Sequence, residues 1–340
     1  MASIKYYRQD IKSLDLSDVK NYDYKNISIE SNKYLVKVIN IPDKTDGLSC
    51  VDNPMLSHIH LPKYIKSLSL TRLPSLLNIV LSDYLIHINL SHLNIIELPI
   101  IPENVKYLRI SNCPLISLSL SDNIETLEIC NINIIRLTKL PIKLNNLDIT
   151  KNSYLEYIEL PENVTNLHIE KNMLLNVIKK FPSSLIRFVC VENRNLILLP
   201  LFPLSLKTLI IDNTPIIKLT YLPLNMEIIR LSNLLLEYVP YTIAKEYTVE
   251  KLPACKEIKE RNFSLSFPSL VNLCLEIFYK FELSIKILEL KDRLNVFYVN
   301  LCTKCKYNIK TRVILESYNL EKFSKFVLIR YQYCEKCYFK

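Results

Sequence analysis

Four cysteines near the end of the chain are arranged as metal ligands would be. Cys302 and Cys305 form one C-x-x-C, Cys334 and Cys337 a second, with 28 residues between the pairs. A C-x-x-C lets one short turn present two thiolates to one ion, and two such pairs complete the tetrahedral four-thiolate shell that Zn2+ takes in structural sites. With all four positions filled by sulfur, no place is left for a catalytic water, so the ion would staple a small domain. A redox reading of either pair needs a thioredoxin-like βαβ setting, and neither has one. No Ser/His/Asp set or paired acid site is legible, and Gly47, the one glycine, is too few for a phosphate-binding loop. His58 with His60, and His87 with His92, lack a matching carboxylate or cysteine set and read as half-exposed strand and loop residues. These observations point away from an enzyme.

Upstream of the cysteines lies an amphipathic stretch. Leu270, Leu273, Cys274, Ile277, Phe278 and Phe281 recur at the spacing of one α-helical face, and Pro268 suits a first helical position. Residues 282–301 are expected to be helical too, with a weaker period. A small helical, zinc-stapled module therefore occupies residues 268–340, behind a charged connector at 246–267.

The elements that must hold this module in place are repeats. From residue 24 to 245 an apolar-x-x-apolar-x-apolar-x-x-Asn/Cys pattern returns every 19 to 21 residues, opening at Tyr24, Thr45, Ile65, Leu85, Val105, Ile124, Leu144, Val164, Leu185, Leu206 and Met226. Eight of these eleven have a proline three residues earlier, among them Pro42, Pro141 and Pro203. The pattern predicts a leucine-rich-repeat solenoid of about 11 turns, an α/β solenoid class in which each turn supplies a strand to a parallel concave sheet. The prolines and the short period predict extended, turn-like convex returns. Alternation sends Leu127 with Ile129, Leu147 with Ile149, and Leu167 with Ile169 inward as a continuous core. Asn152, Asn172 and Asn193 are expected to turn inward behind the strand and bond otherwise orphaned backbone groups, with Cys113 as a small substitute. Residues 1–23 are left as an N-terminal cap.

Composition bounds the setting. Met1 is followed by Lys5, Tyr6, Tyr7 and Arg8 rather than an apolar run, so no signal peptide is expected. The longest apolar stretch, ILLPLFPLSL (197–206), is too short and too proline-broken to cross a membrane. A cytoplasmic protein with reduced thiols is expected, the nucleus remaining open to it. Residues 251–340 hold 17 Lys and Arg against 9 Asp and Glu, so nearly all of the net charge of +9 lies there. No interleaving of aromatic and basic residues marks an RNA-binding module, and nucleic acid is not the expected partner.

The outward positions of the middle strands read Tyr107 and Arg109, Thr126 and Glu128, Asn146 and Asp148, Asn166 and His168, Arg187 and Val189, Thr208 and Ile210. Mixed in sign, they do not make the basic groove that nucleic acid requires. A protein ligand is expected instead, with Tyr107, Arg109, His168 and Arg187 as candidate contacts, because aromatic and arginine side chains dominate binding hot spots.

The repeat type resembles the short leucine-rich repeats of bacterial effectors, some of which carry a ubiquitin-ligase domain with a Cys-x-Asp nucleophile; no nucleophile of that kind is expected here. The order of elements also resembles animal leucine-rich-repeat proteins that include substrate receptors of cullin–RING ubiquitin ligases. SLVNLCLEIF (269–278), CTKC (302–305), RVILES (312–317) and RYQYCEKC (330–337) match that family's closing elements over roughly the last 75 residues. The resemblance implies that Ser269, Leu270, Cys274 and Phe278 form an elongin-binding box, a helix laid in a groove of elongin B/C. It also implies a cullin partner, whose selecting segment would fall at Leu283-Ser284-Ile285-Lys286-Ile287, with serine where the family's apolar-Pro-x-x-apolar core has proline. The implied function is a substrate receptor holding its target on the concave face; the alternative is a stand-alone scaffold or inhibitor whose terminal module only caps the solenoid.

Overall fold

The computed structural model describes residues 3–21, 25–219, 222–223 and 226–236, together with three strands further on. In chain order the strands begin β1 (Ser3–Tyr7), β2 (Ser13–Asp15), β3 (Asn26–Glu30), β4 (Lys37–Ile39), β5 (Gly47–Val51), β6 (His58–Ile59), β7 (Ser67–Thr71) and β8 (His87–Ser91). Then come β9 (Tyr107–Ser111), β10 (Thr126–Cys130), β11 (Arg136–Leu137), β12 (Asn146–Thr150), β13 (Tyr157–Ile158), β14 (Asn166–Glu170) and β15 (Val177–Ile178). The last are β16 (Arg187–Val191), β17 (Thr208–Asp212), β18 (Ile228–Ser232), β19 (Glu246–Glu250), β20 (Asn295–Cys302) and β21 (Val327–Gln332).

Thirteen of them form one parallel sheet in the order β1-β3-β5-β7-β8-β9-β10-β12-β14-β16-β17-β18-β19. Each pair is in register with the repeat, so Leu108, Leu127, Leu147 and Leu167 stack in one row and Ile110, Ile129, Ile149 and Ile169 in another. All eight are buried, as are Val105, Ile124, Leu144 and Val164, which open the same turns. Period-2 alternation thus supplies one wall of a continuous core and leaves the odd strand positions on the sheet face. The chain is a leucine-rich-repeat solenoid. Its sheet exceeds the eleven expected strands at both ends: β1 comes from residues 1–23 and β19 from the expected connector, each paired in parallel with its neighbour.

The returns are extended. They carry two short parallel sheets, β2-β4-β6 and β11-β13-β15, and the only helical piece among the described residues is one 3-10 segment at Ser17–Asn21. The described solenoid is therefore all-β, not α/β. A turn of about 20 residues that gives five to the strand has no length left for a stable helix, and the recurrent proline removes a helical donor. A second difference lies further on: Asn295–Cys302, inside the stretch expected to be helical, is a strand paired in parallel with Val327–Gln332. Val296, Phe297, Tyr298 and Val299 favour a pleated surface over a helix.

Two devices turn the chain at the end of each strand. The residue after each five-residue strand from β1 to β18 takes a left-handed backbone conformation, from Arg8 (φ 49°) through Lys151 (φ 57°) to Asn233 (φ 51°). Its N–H reaches the last carbonyl of the next strand, as in Lys151 N–H to Glu170 O at 2.8 Å. None of these residues is glycine, so those other than Asn and Asp, such as Arg72, Lys151 and Glu192, carry the Cβ penalty of that conformation. One residue further on, the amides of Asn152, Asn172 and Asn193 are completely buried. Asn172 Nδ2 donates to Ile149 O (2.9 Å) and Glu170 O (3.1 Å), while its Oδ1 accepts from the Asn152 backbone N–H (3.0 Å). Asn193 repeats the arrangement toward Asn172, and Asn32 with Asn53 forms a second, shorter ladder near the N-terminus. Between the ladders Leu73, Leu93, Cys113 and Ile132 fill the same corner.

Candidate functional site

The sheet face is built from first, third and fifth strand positions, and its third positions change character along the solenoid. Lys5 is followed by Ser28, Ser49, Ser69 and Asn89, then Arg109, Glu128, Asp148 and His168, then Val189 and Ile210, with Arg230 beyond them on β18. Parallel register sets each beside the next, so Arg109 lies opposite Glu128, Glu128 opposite Asp148, and Asp148 opposite His168.

Tyr107 and Arg109, alternate residues of β9, converge on Glu128. The Tyr107 hydroxyl donates to Glu128 Oε1 (2.8 Å), and Arg109 Nη1 stands 3.6 Å from Oε2. Burial and this hydrogen bond to Glu128 raise the Tyr107 pKa above its ordinary value. Two strands on, His168 Nδ1 lies 2.8 Å from Asp148 Oδ2 and Nε2 lies 3.5 Å from Glu170 Oε2. An imidazole whose two nitrogens both face carboxylates satisfies both only as the imidazolium. The hydrogen bond to Asp148 is the main cause that raises the His168 pKa, with burial and the Arg187 charge opposing. Glu170 continues the chain of charges to Lys171 (2.5 Å), and Lys171 to Glu192 (3.3 Å).

All four residues expected on this face are therefore there, in two groups: Tyr107 with Arg109, and His168 beside the exposed Arg187 of the next strand. A preference for aromatic and arginine contacts passes over Glu128, Asp148 and Glu170, which hold those groups in place. The signal that finds them is register, since positions about 20 residues apart meet across neighbouring strands.

No other chemistry gathers here. Among the described residues no cluster of three or more His, Cys, Asp or Glu could hold a metal. His58 bonds Ser57 on the return side, and His92 occupies a left-handed corner. The sequence does contain one Cys-x-Asp, Cys50-Val51-Asp52, but Cys50 is a core residue whose thiol is pushed up to about 12 by burial. Asp52 is engaged by Arg72. A protonated, inaccessible thiol beside a paired carboxylate is no nucleophile.

Of the cysteines expected to bind zinc, Cys302 ends β20, and Cys305, Cys334 and Cys337 lie outside the described residues. Ser269, Leu270, Cys274 and Phe278 lie outside them too. No helix of the described residues is long and apolar enough to cross a membrane.

No family model matches the sequence, and no curated protein does. Among solved structures the chain is similar to YopM from Yersinia enterocolitica WA-314, at 22% identity over 68% of this chain and 60% of that one, with a TM-score of 0.47. It is similar to CroV588, a circular leucine-rich-repeat protein, at 16% identity over 71% and 42%, with a TM-score of 0.47. The leucine-rich-repeat domain of the type III effector XCV3220 (XopL) is 17% identical over 63% and 76%, with a TM-score of 0.43. The chain thus spans less than two thirds of the YopM and CroV588 chains. Nothing about a partner or an activity follows from likeness at this level.

Proposed function

We propose that this protein is a non-catalytic scaffold that holds a protein partner on its sheet face, over the strands from Tyr107 to Arg187. The observation that carries this reading is the preassembled row in which Glu128 orients Tyr107 and Arg109, and Asp148 with Glu170 orients His168. Side chains already held by their neighbours lose little freedom on binding, and a long open face suits a macromolecule better than a metabolite.

The proposal extends to the C-terminal residues. There the helix of 269–278 docks elongin B/C through Leu270, Cys274 and Phe278, with Ser269 at its start, and connects the bound target to a cullin–RING ligase in the cytoplasm. Zn2+ held by Cys302, Cys305, Cys334 and Cys337 staples that module. In support, the parallel pairing of β20 and β21 sets Cys302 opposite Gln332, two residues before Cys334 in the sequence, so both C-x-x-C pairs follow adjacent strand ends.

The test is capture of the tagged full chain by elongin B/C, with Leu270→Ala/Cys274→Ala as control and a thermal melt of both. Capture lost in a folded double variant supports the adaptor. A folded wild type that elongin ignores leaves the scaffold alone, its last module acting as a cap. Metal analysis should return one zinc per chain, lost in Cys334→Ser/Cys337→Ser; a zinc-free, folded wild type refutes the staple.

A further inference from the structure

Three features meet on the turns led by β7, β8 and β9, and two of them on the turn led by β10. Their corners hold Leu73, Leu93, Cys113 and Ile132 in place of the ladder amide. The returns of the turns led by β7, β8 and β9 carry no strand, while the return of the turn led by β10 carries β11, which opens one residue after Ile135. And in each of these turns the residue after the buried one that opens the return is a large aliphatic side chain left in water: Leu77, Ile96, Ile116 and Ile135, between 53% and 67% exposed. On the turns led by β5, β12 and β14 the same position is Ser57, Glu156 and Asn176, and an exposed aliphatic returns there only further on, at Ile197 (48%) and Ile217 (41%). Val80 and Ile100, 88% and 93% exposed, widen the row.

Six such side chains expose several hundred Å2 of aliphatic surface. That is the scale of the largest patch of an ordinary monomer, about 300–600 Å2. A groove of about 810 Å3 beside it, lined by Ile59, Leu61, Leu77, Val80 and Tyr84, gives the ridge a shape to receive as well as to insert.

The charges beside the ridge select the occupant. Glu97 follows Ile96, Ser117 follows Ile116, and Arg136 follows Ile135, on three successive turns. Glu97 and Arg136 therefore stand one turn to either side of Ile116. A twofold axis through Ile116 sets that residue against itself, Ile96 against the partner's Ile135, and Glu97 against the partner's Arg136, twice, and leaves Leu77 at the edge of the contact, opposite the partner's Glu156. An isologous contact needs this self-complementarity.

We propose that this ridge is the contact surface of a symmetric dimer of the chain. The contact lies on the return side, so both sheet faces stay open and the dimer presents two binding faces. It is independent of the elongin reading, because it uses no residue of the C-terminal module.

Light scattering on the full chain at micromolar concentration should give twice the chain mass. Ile116→Glu should give the monomer mass with the circular-dichroism spectrum of the folded chain unchanged, because the side chain is solvent-exposed in the single chain, and with a melting temperature that no longer depends on concentration. Glu97→Arg should weaken association about tenfold or more by removing two exposed ion pairs. Adding Arg136→Glu to it should restore wild-type association. A monomeric wild type overturns the proposal, as does a dimer that Ile116→Glu leaves intact or a charge reversal that the second substitution does not rescue.

Discussion

The turns led by β12, β14 and β16 and those led by β7 to β10 have one fold and close their corners by different chemistry. In the first group a buried amide bonds backbone groups of two turns, each Asn tied to the next through Oδ1. In the second, Leu73, Leu93, Cys113 and Ile132 fill the space with little or no polar contact; Cys113 Sγ reaches Ser111 O at only 3.4 Å. The corner needs to be filled and every polar group in it satisfied, and it does not need an amide as such. The two solutions differ in what they tolerate. A ladder couples neighbouring turns and reaches back to the Ile132 backbone N–H through Asn152 Oδ1 (3.0 Å), whereas the apolar side chains only fill their corners. The apolar-corner turns also leave Leu77, Ile96, Ile116 and Ile135 in water, and the amide turn led by β16 does the same with Ile197.

Asn172→Leu should have the largest effect. It strips the buried Asn152 N–H of its acceptor and leaves the carbonyls of Ile149 and Glu170 one donor short, a cost of about 3 kcal/mol or more. Urea unfolding monitored by circular dichroism measures it. A loss under about 1 kcal/mol, within reach of a mild apolar swap such as Ile132→Leu, would break the distinction between the two groups of turns.

Thr214→Asn should act in the other direction. Thr214 occupies the corner after Asn193, is buried, and has an Oγ1 without a partner. An Asn there extends the ladder by one rung and should stabilise by about 1 kcal/mol. No gain in denaturation midpoint would mean that the rungs do not act in series.

Lys151→Gly should stabilise by roughly 0.5 kcal/mol, since glycine removes the left-handed strain and gives part of that back in backbone entropy. Asn131→Gly, in an apolar-corner turn, should change the melting temperature less, because Asn tolerates that conformation. Equal shifts would show that the strain does not depend on residue type.

The smallest effect expected is electrostatic. His168 has a raised pKa in the folded chain, so its stabilisation is complete below its unfolded value of about 6.5 and is lost as pH rises through the folded value. The imidazole is about one third exposed, which limits the contribution to a few tenths of a kcal/mol. Asp148→Asn should lower the His168 midpoint followed by NMR. A midpoint unmoved by the substitution would remove Asp148 as its cause.

Much of this was legible from period alone. A 20-residue repeat with alternating apolar residues placed Leu127 and Ile129 inward, Arg109 and His168 outward, and Asn152 at a corner, because side-chain direction in a strand follows parity. The terminal strands were harder to read: SIKYY and EYTVE lack the full repeat signature, and parallel pairing with β3 and β18 completes them. Asn295–Cys302 reads as helix from the sequence and folds as a strand for a related reason, since short apolar runs fit either period until a partner is found.

The repeat, its core rows, the corner positions and the set of residues that reach the sheet face all follow from local geometry, and local geometry is written in the order of the amino acids. Which of those residues meet is a matter of stacking. Glu128 joins Tyr107 and Arg109, Asp148 joins His168, and four exposed aliphatics line up across four turns because strand register brings residues 19 to 21 positions apart side by side. Such neighbours are fixed by how one turn packs on the next, and no local preference of the chain encodes that.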